Sequence, residues 1–500
     1  MFKKFRILII LIFLILLTLN FSNDIPWHKN LVFYEIFIRS FADSNGDGIG
    51  DLRGLVEKLD YLNDGDPRTE KDLGINAIWL MPLFPSSSYH GYDVTDYYNI
   101  NPDYGSMEDF ENLLKETHKR GIKVILDLVL NHTSSLHPWF KSASSSESSP
   151  FRNFYLWSSQ LPQANSRFWH KAFTGYYYGI FSSEMPDLNY DNAKVREEVK
   201  KIAKFWLDKG VDGFRLDAVK YVYEEHEKNI SFWKEFYNYV KSIKKDIFLV
   251  GEVWDNEYII AKYYESLPSN FNFPLAQRII STVSMERDLG LVNYLLEERK
   301  LFSEYNPNFS DAIFLTNHDQ TRIMSLLGGN KDKVVLSASI YLTLPGIPFI
   351  YYGEEIGMSG AKPDEHIREP FEWSKDLKGN YQTRWLKTIY AKPNDGISVE
   401  EQDSNKNSIL NHYRKLINLR LKYKALSQGD IEKVETKNPT ILAYIRKSNK
   451  ERILIIHNLT KIENKFSYPL TKNSKILYSR NSKIDKNIIL GPFSSIIIKI

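Results

Sequence analysis

The feature that most constrains the fold is a recurring alternation of short apolar segments with amphipathic helices. The predicted strands cover residues 31–38, 75–82, 123–130, 211–218, 247–254, 311–318 and 346–353, with a weaker one near 271–276. Helices predicted at 108–121 and 196–210 carry apolar residues at helical spacing. Because strands that alternate with helices pair in parallel through right-handed crossovers, the predicted fold class is α/β, a (β/α)8 TIM barrel.

Two parts of the chain depart from this alternation. Residues 133–190 are rich in Ser, Pro and aromatic residues, show no clear helix and are too long for an ordinary loop. We therefore predict an excursion domain after the third strand, which splits the barrel into residues 24–132 and 191–426. A final barrel helix is predicted at 409–426. The short alternating strands after it predict a C-terminal antiparallel β-sandwich over residues 427–500.

The N-terminus carries a targeting pattern. Lys3, Lys4 and Arg6 precede an apolar run at 7–19 that is short for a bilayer span. We expect residues 1–23 to be a signal peptide of a secreted or periplasmic protein; an uncleaved N-terminal membrane anchor is the alternative. The chain has no cysteine, so its stability must come from core burial and bound ions rather than disulfides.

Charge and composition limit the partners. The formal net charge is only +3 and both signs are interspersed, which argues against a nucleic-acid surface. No protein partner is implied, and we expect a monomer. Aromatic residues make up 14% of the chain, and their flat apolar faces with polar edges suit sugar rings.

Acidic residues lie at the ends of several predicted strands. They are Asp127, Asp217, Glu252 and Asp319. In a barrel these ends meet at one mouth, where clustered carboxylates would repel one another unless they were placed for function. Glycosidic bond cleavage uses one carboxylate to attack and another to donate a proton, and a third can stabilise the transition state. Arg215 shares a strand face with Asp217 and can keep it ionised. Spacing alone does not decide which carboxylate is the nucleophile.

Four segments resemble the four sequence regions of the α-amylase family, glycoside hydrolase family 13. They are DLVLNH (127–132), GFRLDAVKY (213–221), GEVW (251–254) and FLTNHD (314–319). The resemblance covers the chain after its leader and implies that Asp217 is the nucleophile, Glu252 the acid/base and Asp319 the transition-state partner. It also implies sugar contacts at the cleavage point by Asp127, His132, Arg215 and His318.

Further motifs narrow the family position. YHGYDVTDYY (89–98) resembles the segment whose tyrosine, here Tyr92, stacks beneath the sugar at the cleavage site. Asp93 resembles the residue that binds the non-reducing end in α-glucosidase relatives; a simple turn aspartate is the alternative.

MPDLN (185–189) resembles the signature of the group intermediate between oligo-1,6-glucosidases and neopullulanases, which is associated with α-amylase activity. Ala218 and a substrate-binding Lys220 fit that group, because oligo-1,6-glucosidases usually have Val at the first position and lack the lysine.

A calcium loop is predicted in DSNGDGIGD (43–51). Its oxygen ligands would be Asp43, Asn45, Asp47 and Asp51 with the Ile49 carbonyl, and its glycines permit a tight curl. It lacks the distal glutamate of an EF-hand.

The resemblance also suggests a second Ca²⁺ at Asn131 and Asp187. Tyr221 stands where many α-amylases have His, and Asp187 could instead cap a loop.

These features predict an endo-acting, retaining α-amylase that hydrolyses α-1,4 bonds of starch and maltooligosaccharides. The alternative on the same scaffold is an α-glucosidase or 4-α-glucanotransferase that acts on short maltooligosaccharides. A non-catalytic binding protein or membrane-anchored accessory protein is a third hypothesis, which the presence of all three carboxylates disfavours.

Overall fold

The computed structural model describes residues 27–500. Its strands, in chain order, are β1 (Phe33–Ile36), β2 (Ala77–Leu80), β3 (Lys123–Leu128), β4 (Trp157–Ser158), β5 (Trp169–Ala172), β6 (Gly175–Tyr178), β7 (Gly213–Leu216), β8 (Phe248–Gly251), β9 (Ser269–Phe271), β10 (Ser310–Ile313), β11 (Ile347–Tyr351), β12 (Asp430–Lys433), β13 (Ile441–Ser448), β14 (Glu451–Asn458), β15 (Asn464–Phe466), β16 (Lys475–Ile484) and β17 (Ile488–Lys499). The predicted leader, residues 1–23, lies outside the described part.

The α-helices span Ile38–Phe41, Leu52–Glu57, Leu59–Leu62, Met107–Lys119, Pro138–Ser145, Ala193–Asp208, His226–Ile243, Glu257–Tyr263, Phe273–Ser284, Leu291–Tyr305, Ile323–Leu326, Lys331–Tyr341, Asp364–Ile367, Val399–Gln402, Ile409–Lys422 and Lys424–Ser427. Short 3₁₀ helices lie at Trp27–Asn30, Arg152–Phe154, Ser166–Phe168 and Val219–Tyr221. Within residues 27–500 no helix is both long and apolar enough to cross a bilayer.

Eight strands form a closed barrel. Strands β1, β2, β3, β7, β8, β9, β10 and β11 follow one another around it, and β11 pairs again with β1. Every one of these pairings is parallel. The predicted TIM barrel is therefore confirmed, and the carboxyl ends of its strands form a single mouth.

The barrel interior is filled with large side chains. The rings of Phe33 and Phe349 stack at 4.3 Å between centroids, and Phe33 also stacks on Phe248 at 5.2 Å. Trp79, one layer nearer the mouth, lies edge-on to the His318 ring. These rings close the interior, so the polar groups at the mouth rest on a solid apolar floor.

The strand predicted near residues 271–276 is β9, and it differs from its predicted position. It ends at Phe271, and a helix begins at Phe273 where the strand was expected to continue. The Asn272 side chain caps that helix by accepting from the Leu275 N–H, and Pro274 lies in its first turn. A cap followed by proline is a helix start, and it overrides the apolar run that suggested a strand.

Two helix predictions also change. The excursion contains a helix at Pro138–Ser145, where the serine-rich composition predicted none; proline opens it and the His137 side chain caps it. The final barrel helix, predicted to run through 426, ends at Lys422 and a separate short helix follows.

The excursion is tied back to the barrel mouth. Its strands form a small antiparallel sheet in the order β4–β6–β5. An isolated bridge pairs His132 with Asp187, so the two ends of the excursion lie side by side, and a second bridge pairs Tyr155, near its middle, with Leu188. The segment between Tyr178 and Asp187 is thereby placed above the end of β3.

The C-terminal antiparallel β domain is confirmed. Its core sheet runs β12–β13–β14–β17–β15, and β16 pairs along the length of β17. The Tyr444 hydroxyl on β13 lies 2.7 Å from the Thr343 hydroxyl of the barrel, and Arg446 donates to the Thr343 carbonyl at 2.6 Å. These buried bonds attach the domain to the barrel on the side away from the mouth.

A buried glutamate that follows β11, Glu354, should make stability fall with rising pH. Glu354 is only 2% exposed, and burial raises its pKa to about 8 although Tyr413 and Tyr341 donate hydrogen bonds to it. The folded protein therefore holds a proton that the unfolded chain releases near pH 4.5, and stability is lost as pH rises between these values. When the pH is raised from about 5 to about 9, we expect the wild type to lose on the order of 3 kcal/mol more of its free energy of unfolding than Glu354→Gln loses.

Urea unfolding at both pH values measures this difference, with the exposed Glu147→Gln as the matched control. Equal pH slopes for wild type and Glu354→Gln would show that Glu354 is already ionised in the folded protein.

Candidate active site

One guanidinium joins three carboxylates at the barrel mouth. Arg215 on β7 is 1% exposed. Its Nη1 donates to Asp217 at 2.6 Å and to Asp127, on the neighbouring strand β3, at 2.9 Å. Its Nη2 lies 3.0 Å from Glu252 Oε2 at the end of β8. Asp217 and Glu252 are therefore adjacent, each on one arm of the same cation.

The backbone between these two carboxylates is also fixed. The Ala218 N–H donates to Glu252 Oε2 at 3.0 Å, and the Glu252 N–H donates to the Leu216 carbonyl at 2.9 Å. Ala218 itself takes a left-handed conformation with φ of 49°. A left-handed non-glycine residue next to Asp217 is a local strain of the kind found at functional sites.

Two cationic side chains contact Asp319. Its carboxylate accepts from Arg368 Nη2 at 2.9 Å and lies 3.1 Å from His318 Nε2. The other ring nitrogen of His318 contacts Glu35 on β1 at 2.5 Å. His318 also meets the Tyr92 hydroxyl at 2.6 Å. The imidazole is thus held between carboxylates on both sides.

The electrostatic surroundings shift the pKa values of Glu252 and Asp319 in opposite directions. Burial raises the pKa of Glu252, and the neighbouring charges of Asp217 and Asp319 raise it further against the opposing effect of Arg215. Burial also acts on Asp319, but the cations His318 and Arg368 outweigh it and hold its pKa far below its usual range. The pKa of His318 rises to about 10 because its flanking carboxylates outweigh burial. One carboxyl is therefore biased toward the protonated form and another is fixed as an anion.

These groups open into a cavity of about 530 Å³. It is lined by His90, Tyr92, His132, Phe181, Ser182, Met185, Asp217, Ala218, Tyr221, Glu252, Trp254, Asp319, Lys362, Asp364 and Arg368. The excursion supplies Phe181, Ser182 and Met185, so it forms one wall. Exposed aromatic faces beside carboxylates suit a sugar chain.

The structure brings most of the predicted residues together, in two layers. Tyr92, His132 and the three strand-end carboxylates face the cavity, while Asp127, Arg215 and His318 lie beneath them. His132 contacts the Tyr92 carbonyl through Nε2 at 3.1 Å, and burial lowers its pKa to about 4, so its ring is neutral.

Two further predicted sugar-binding residues, Asp93 and Lys220, have other partners in the structure. Within the described part of the chain, the cavity lining includes neither Asp93 nor Lys220. Lys220 donates to the Trp254 carbonyl at 2.8 Å and to Asp255 at 2.9 Å, so it braces the loop that follows Glu252. Asp93 is buried against serine hydroxyls. Direct sugar contact by either residue stays a prediction.

The residues of the site that were missed from the sequence include Glu35, Trp79 and Arg368. Glu35 is a lone acidic residue inside the apolar strand β1, and that mismatch was a usable signal. Trp79 donates to Asp127 at 3.3 Å, but the sequence pattern predicts only a core position for a tryptophan in a buried strand. Arg368 lies in an irregular segment after β11, where no periodicity marks it.

The predicted calcium loop follows β1. Asp43 accepts from the backbone N–H groups of Gly46 at 2.7 Å and Gly48 at 2.8 Å, which curls the loop around its carboxylate. Asp51 caps the next helix by accepting from the Gly54 N–H at 2.7 Å. The donors are carboxylate, amide and carbonyl oxygens, which is the ligand chemistry of Ca²⁺. Among residues 27–500, however, no three His, Asp or Glu side chains are grouped closely enough to hold a metal ion.

The second predicted calcium position joins the excursion to the barrel. Asp187 is buried and accepts from the Ile180 N–H at 3.1 Å, and burial raises its pKa well above its usual range. Asn131 beside it donates to the Tyr221 carbonyl at 2.8 Å. A cation there would relieve the desolvated carboxylate, and the Asn131, Asp187 and Tyr221 oxygens are suitable ligands.

Sequence profiles and relatives agree with this geometry. The profile described as the α-amylase catalytic domain matches residues 35–429, and that of the α-amylase SusG C-terminal domain matches residues 441–497. "Alpha-amylase 3" of Dictyoglomus thermophilum is 58% identical over 501 residues, covering 100% of this chain and 99% of the relative. A 4-alpha-glucanotransferase of Thermotoga neapolitana is 36% identical and covers 86% and 96%.

A solved structure shares the whole architecture. The crystal structure of an α-amylase from H. orenii superposes with a TM-score of 0.88 at 44% identity, covering 94% of this chain and 99% of that one. With the family profile spanning both halves of the barrel and the carboxylate cluster at its mouth, the chain belongs to the α-amylase family, glycoside hydrolase family 13.

Proposed function

We propose that this chain is a retaining α-amylase that hydrolyses internal α-1,4-glucosidic bonds of starch and maltooligosaccharides. The observation that carries this is the pair Asp217 and Glu252, which share the Arg215 guanidinium at an open, aromatic-lined mouth. Full-length similarity to an α-amylase supports the same substrate class.

Asp217 is the proposed nucleophile. Its oxygen forms a bond to the anomeric carbon as the bond from that carbon to the glycosidic oxygen breaks. Burial raises the pKa of Asp217, and Arg215, at 2.6 Å, opposes this and favours the ionised form. The product of this step is a covalent glycosyl-enzyme with the configuration inverted once.

Glu252 is the proposed acid and then base. Its raised pKa keeps a proton available for the departing glycosidic oxygen. The carboxylate left behind takes a proton from water, whose oxygen attacks the anomeric carbon and releases Asp217. Two inversions give net retention.

Asp319, held anionic by His318 and Arg368, is proposed to bind sugar hydroxyls and to stabilise the positive charge that develops on the ring. Tyr92 stacks beneath the ring and His132 contacts its edge. Asp127 and His318 act from the layer beneath by holding Arg215, Tyr92 and Asp319 in place.

Product analysis tests endo-hydrolysis. We expect amylose to give a ladder of maltooligosaccharides early in the reaction, because an enzyme that cleaves internal bonds cuts the chain at many positions. The assay is chromatography of products from amylose, maltotriose and p-nitrophenyl α-glucoside. Release of single glucose units from chain ends as the sole early product would contradict the proposal and indicate an α-glucosidase.

A 4-α-glucanotransferase is the second candidate, favoured by the 36% identical relative. It would convert maltotriose into longer oligosaccharides without a matching increase in reducing ends. Measuring reducing ends and chain lengths in the same samples separates transfer from hydrolysis.

We propose that residues 43–51 bind a structural Ca²⁺ through Asp43, Asn45, Asp47, the Ile49 carbonyl and Asp51, and that Asn131 and Asp187 contribute to a second site. Ca²⁺ would stabilise the segment after β1 and the joint between excursion and barrel. It supplies no bond-making chemistry in either place.

Chelation should lower the thermal midpoint. We expect EDTA to reduce Tm by several degrees and added Ca²⁺, but not Mg²⁺, to restore it, because a ligand that binds only the folded state stabilises it by mass action. Asp47→Asn keeps the hydrogen bond to the Ile49 N–H but loses a charge, so its response to Ca²⁺ should shrink. Asp66→Asn, in another aspartate turn, is the matched control. An unchanged Tm in EDTA would contradict both sites.

We also propose that residues 1–23 direct export, as a cleaved signal peptide or a retained anchor. The supporting feature is the basic segment followed by a short apolar run. N-terminal sequencing of the protein from the culture medium and from membranes distinguishes the two outcomes.

A further inference from the structure

A small cavity lies at the end of the barrel opposite the mouth. Its volume is about 60 Å³, and its lining includes Ser310 and Ile347, which begin β10 and β11, and Arg446 of β13 in the C-terminal domain. The cavity therefore lies at the junction of the barrel with that domain, away from the active-site carboxylates. It is far smaller than the roughly 300 Å³ or more of pockets for organic ligands, so its size suits a small ion.

Cationic side chains from separate parts of the chain line this cavity. Lys29 precedes β1, Arg299 lies on a barrel helix, and Arg446 lies on β13. Arg446 is 0% exposed, and its guanidinium donates to the carbonyls of Thr343 at 2.6 Å and Gly429 at 2.7 Å. These carbonyls satisfy N–H groups but bring no compensating charge, and a buried charge is costly without one.

The positive charges of these groups destabilise one another. Burial lowers the pKa of Lys29, and the nearby guanidinium of Arg299 lowers it further. Burial also lowers the pKa of Arg446 well below its usual range, and Arg420 and Arg299 add to this effect. Asp430, which is exposed, offsets only part of either shift. An anion in the cavity would favour the charged forms of both side chains.

The acidic side chain in the lining has partners of its own. Of the lining residues that the structure describes, Asp311 alone is acidic. One of its oxygens accepts from the Asn272 amide at 3.0 Å and the other from the Tyr264 hydroxyl at 3.3 Å. Even when Asp311 is ionised, a single carboxylate leaves this lining with an excess of positive charge.

A buried hydroxyl in the same lining points to a bound group. Ser427 is 5% exposed, and its Oγ has no hydrogen-bond partner among residues 27–500. A buried hydroxyl that bonds to nothing is unfavourable, and such atoms in folded proteins call for a partner. As an O–H donor beside several cations, Ser427 would complete the contacts of an anion.

We propose that this cavity binds a small inorganic anion, chloride or a tetrahedral oxyanion such as sulfate, through Lys29, Arg299, Arg446 and the Ser427 hydroxyl. The two share one chemistry, a compact negative charge that accepts from guanidinium, ammonium and hydroxyl donors. Because these donors come from both the barrel and the C-terminal domain, the anion holds the two together and binds only the folded chain. The site lies apart from the proposed catalysis and does not depend on it.

Thermal unfolding at increasing anion concentration tests the site. Sodium chloride and sodium sulfate are each compared with sodium gluconate at equal ionic strength and fixed Ca²⁺, because gluconate is too large for the cavity. We expect the wild-type Tm to rise by about 2 °C or more and then to level off, since specific binding saturates and a general salt effect does not. A rise in chloride alone identifies a halide site, and a rise in sulfate identifies an oxyanion site.

Ser427→Ala separates binding from folding. Because the Ser427 hydroxyl has no protein partner, its loss should leave Tm in gluconate within about 1 °C of the wild type. The anion loses a donor, so its dissociation constant should rise about threefold or more. Ser494→Ala is the matched control: the Ser494 hydroxyl is also buried and unpartnered within residues 27–500, but Ser494 is not among the described residues of this lining.

Arg299→Gln removes one of the charges. Arg299 is half-buried over the Phe309 ring at 5.1 Å, and its loss should weaken anion binding at least about tenfold. Arg278→Gln is the matched control, because Arg278 is half-buried over the Tyr294 ring at 4.3 Å. Two results would overturn the proposal: a Tm in chloride and sulfate no higher than in gluconate, or a rise of equal size in the wild type, Ser427→Ala and Arg299→Gln.

Discussion

We expect Asp217→Asn or Glu252→Gln to lower the rate of starch hydrolysis at least about a thousandfold, because each removes a group that acts on the breaking bond. Both substitutions preserve size and can keep a contact to Arg215. Glu257→Gln, just after the same strand end, is the matched control and should retain activity. A variant at either position that keeps more than about a thousandth of the wild-type rate would contradict the assignment.

An activated substrate separates the two roles. α-Maltosyl fluoride needs little help from an acid, because fluoride leaves without prior protonation. Glu252→Gln should therefore still form the covalent intermediate, which accumulates because no base activates water, and mass spectrometry would detect maltosyl-enzyme. Asp217→Asn should form none. The reverse pattern would exchange the roles of the two residues.

The second large effect is expected at Arg215. Arg215→Gln leaves Asp127, Asp217 and Glu252 in a buried cluster without the cation that all three contact. Breaking such a group by removing one partner costs about 3–5 kcal/mol of the free energy of unfolding. Urea unfolding measures the loss, and it should shrink at low pH, where the orphaned carboxyls take up protons.

Activity gives an independent readout of the same change. With the guanidinium gone, the pKa values of the remaining carboxyls rise, so the acidic limb of the pH–rate profile should move to higher pH. Arg68→Gln, which removes an exposed pair with Asp66, is the control and should cost less than about 1 kcal/mol. A loss at Arg215 no larger than at Arg68 would mean that the cluster is hydrated rather than buried.

Much of the site could be predicted because it follows from strand ends. Asp217, Glu252 and Asp319 are placed by parallel strands whose carboxyl ends must converge, and this depends only on periodicity and topology. β9 was misplaced because three residues of strand carry little pattern, whereas the Asn272 cap and Pro274 that define the following helix act locally.

The remaining contacts depend on partners far apart in the chain. Arg368 reaches Asp319 across 49 positions, and Glu35 reaches His318 across 283. Asp93 shows the opposite case: its partners are adjacent serines, and a family comparison of aspartates alone does not register their hydroxyls. Pattern predicts which residues reach the mouth, but not which of them are already occupied by another side chain.

The paired ends of the excursion have a consequence for how such an enzyme can change. Since the bridge between His132 and Asp187 brings both connections to one place, the excursion is a closed loop on the barrel, and its closure entropy grows only slowly with its length. Insertions or exchanges between His132 and Asp187 would reshape the wall that carries Phe181 and Met185 while the eight-stranded interior keeps its packing. Substrate range can thus diversify in this segment at little cost to the scaffold that holds the chemistry.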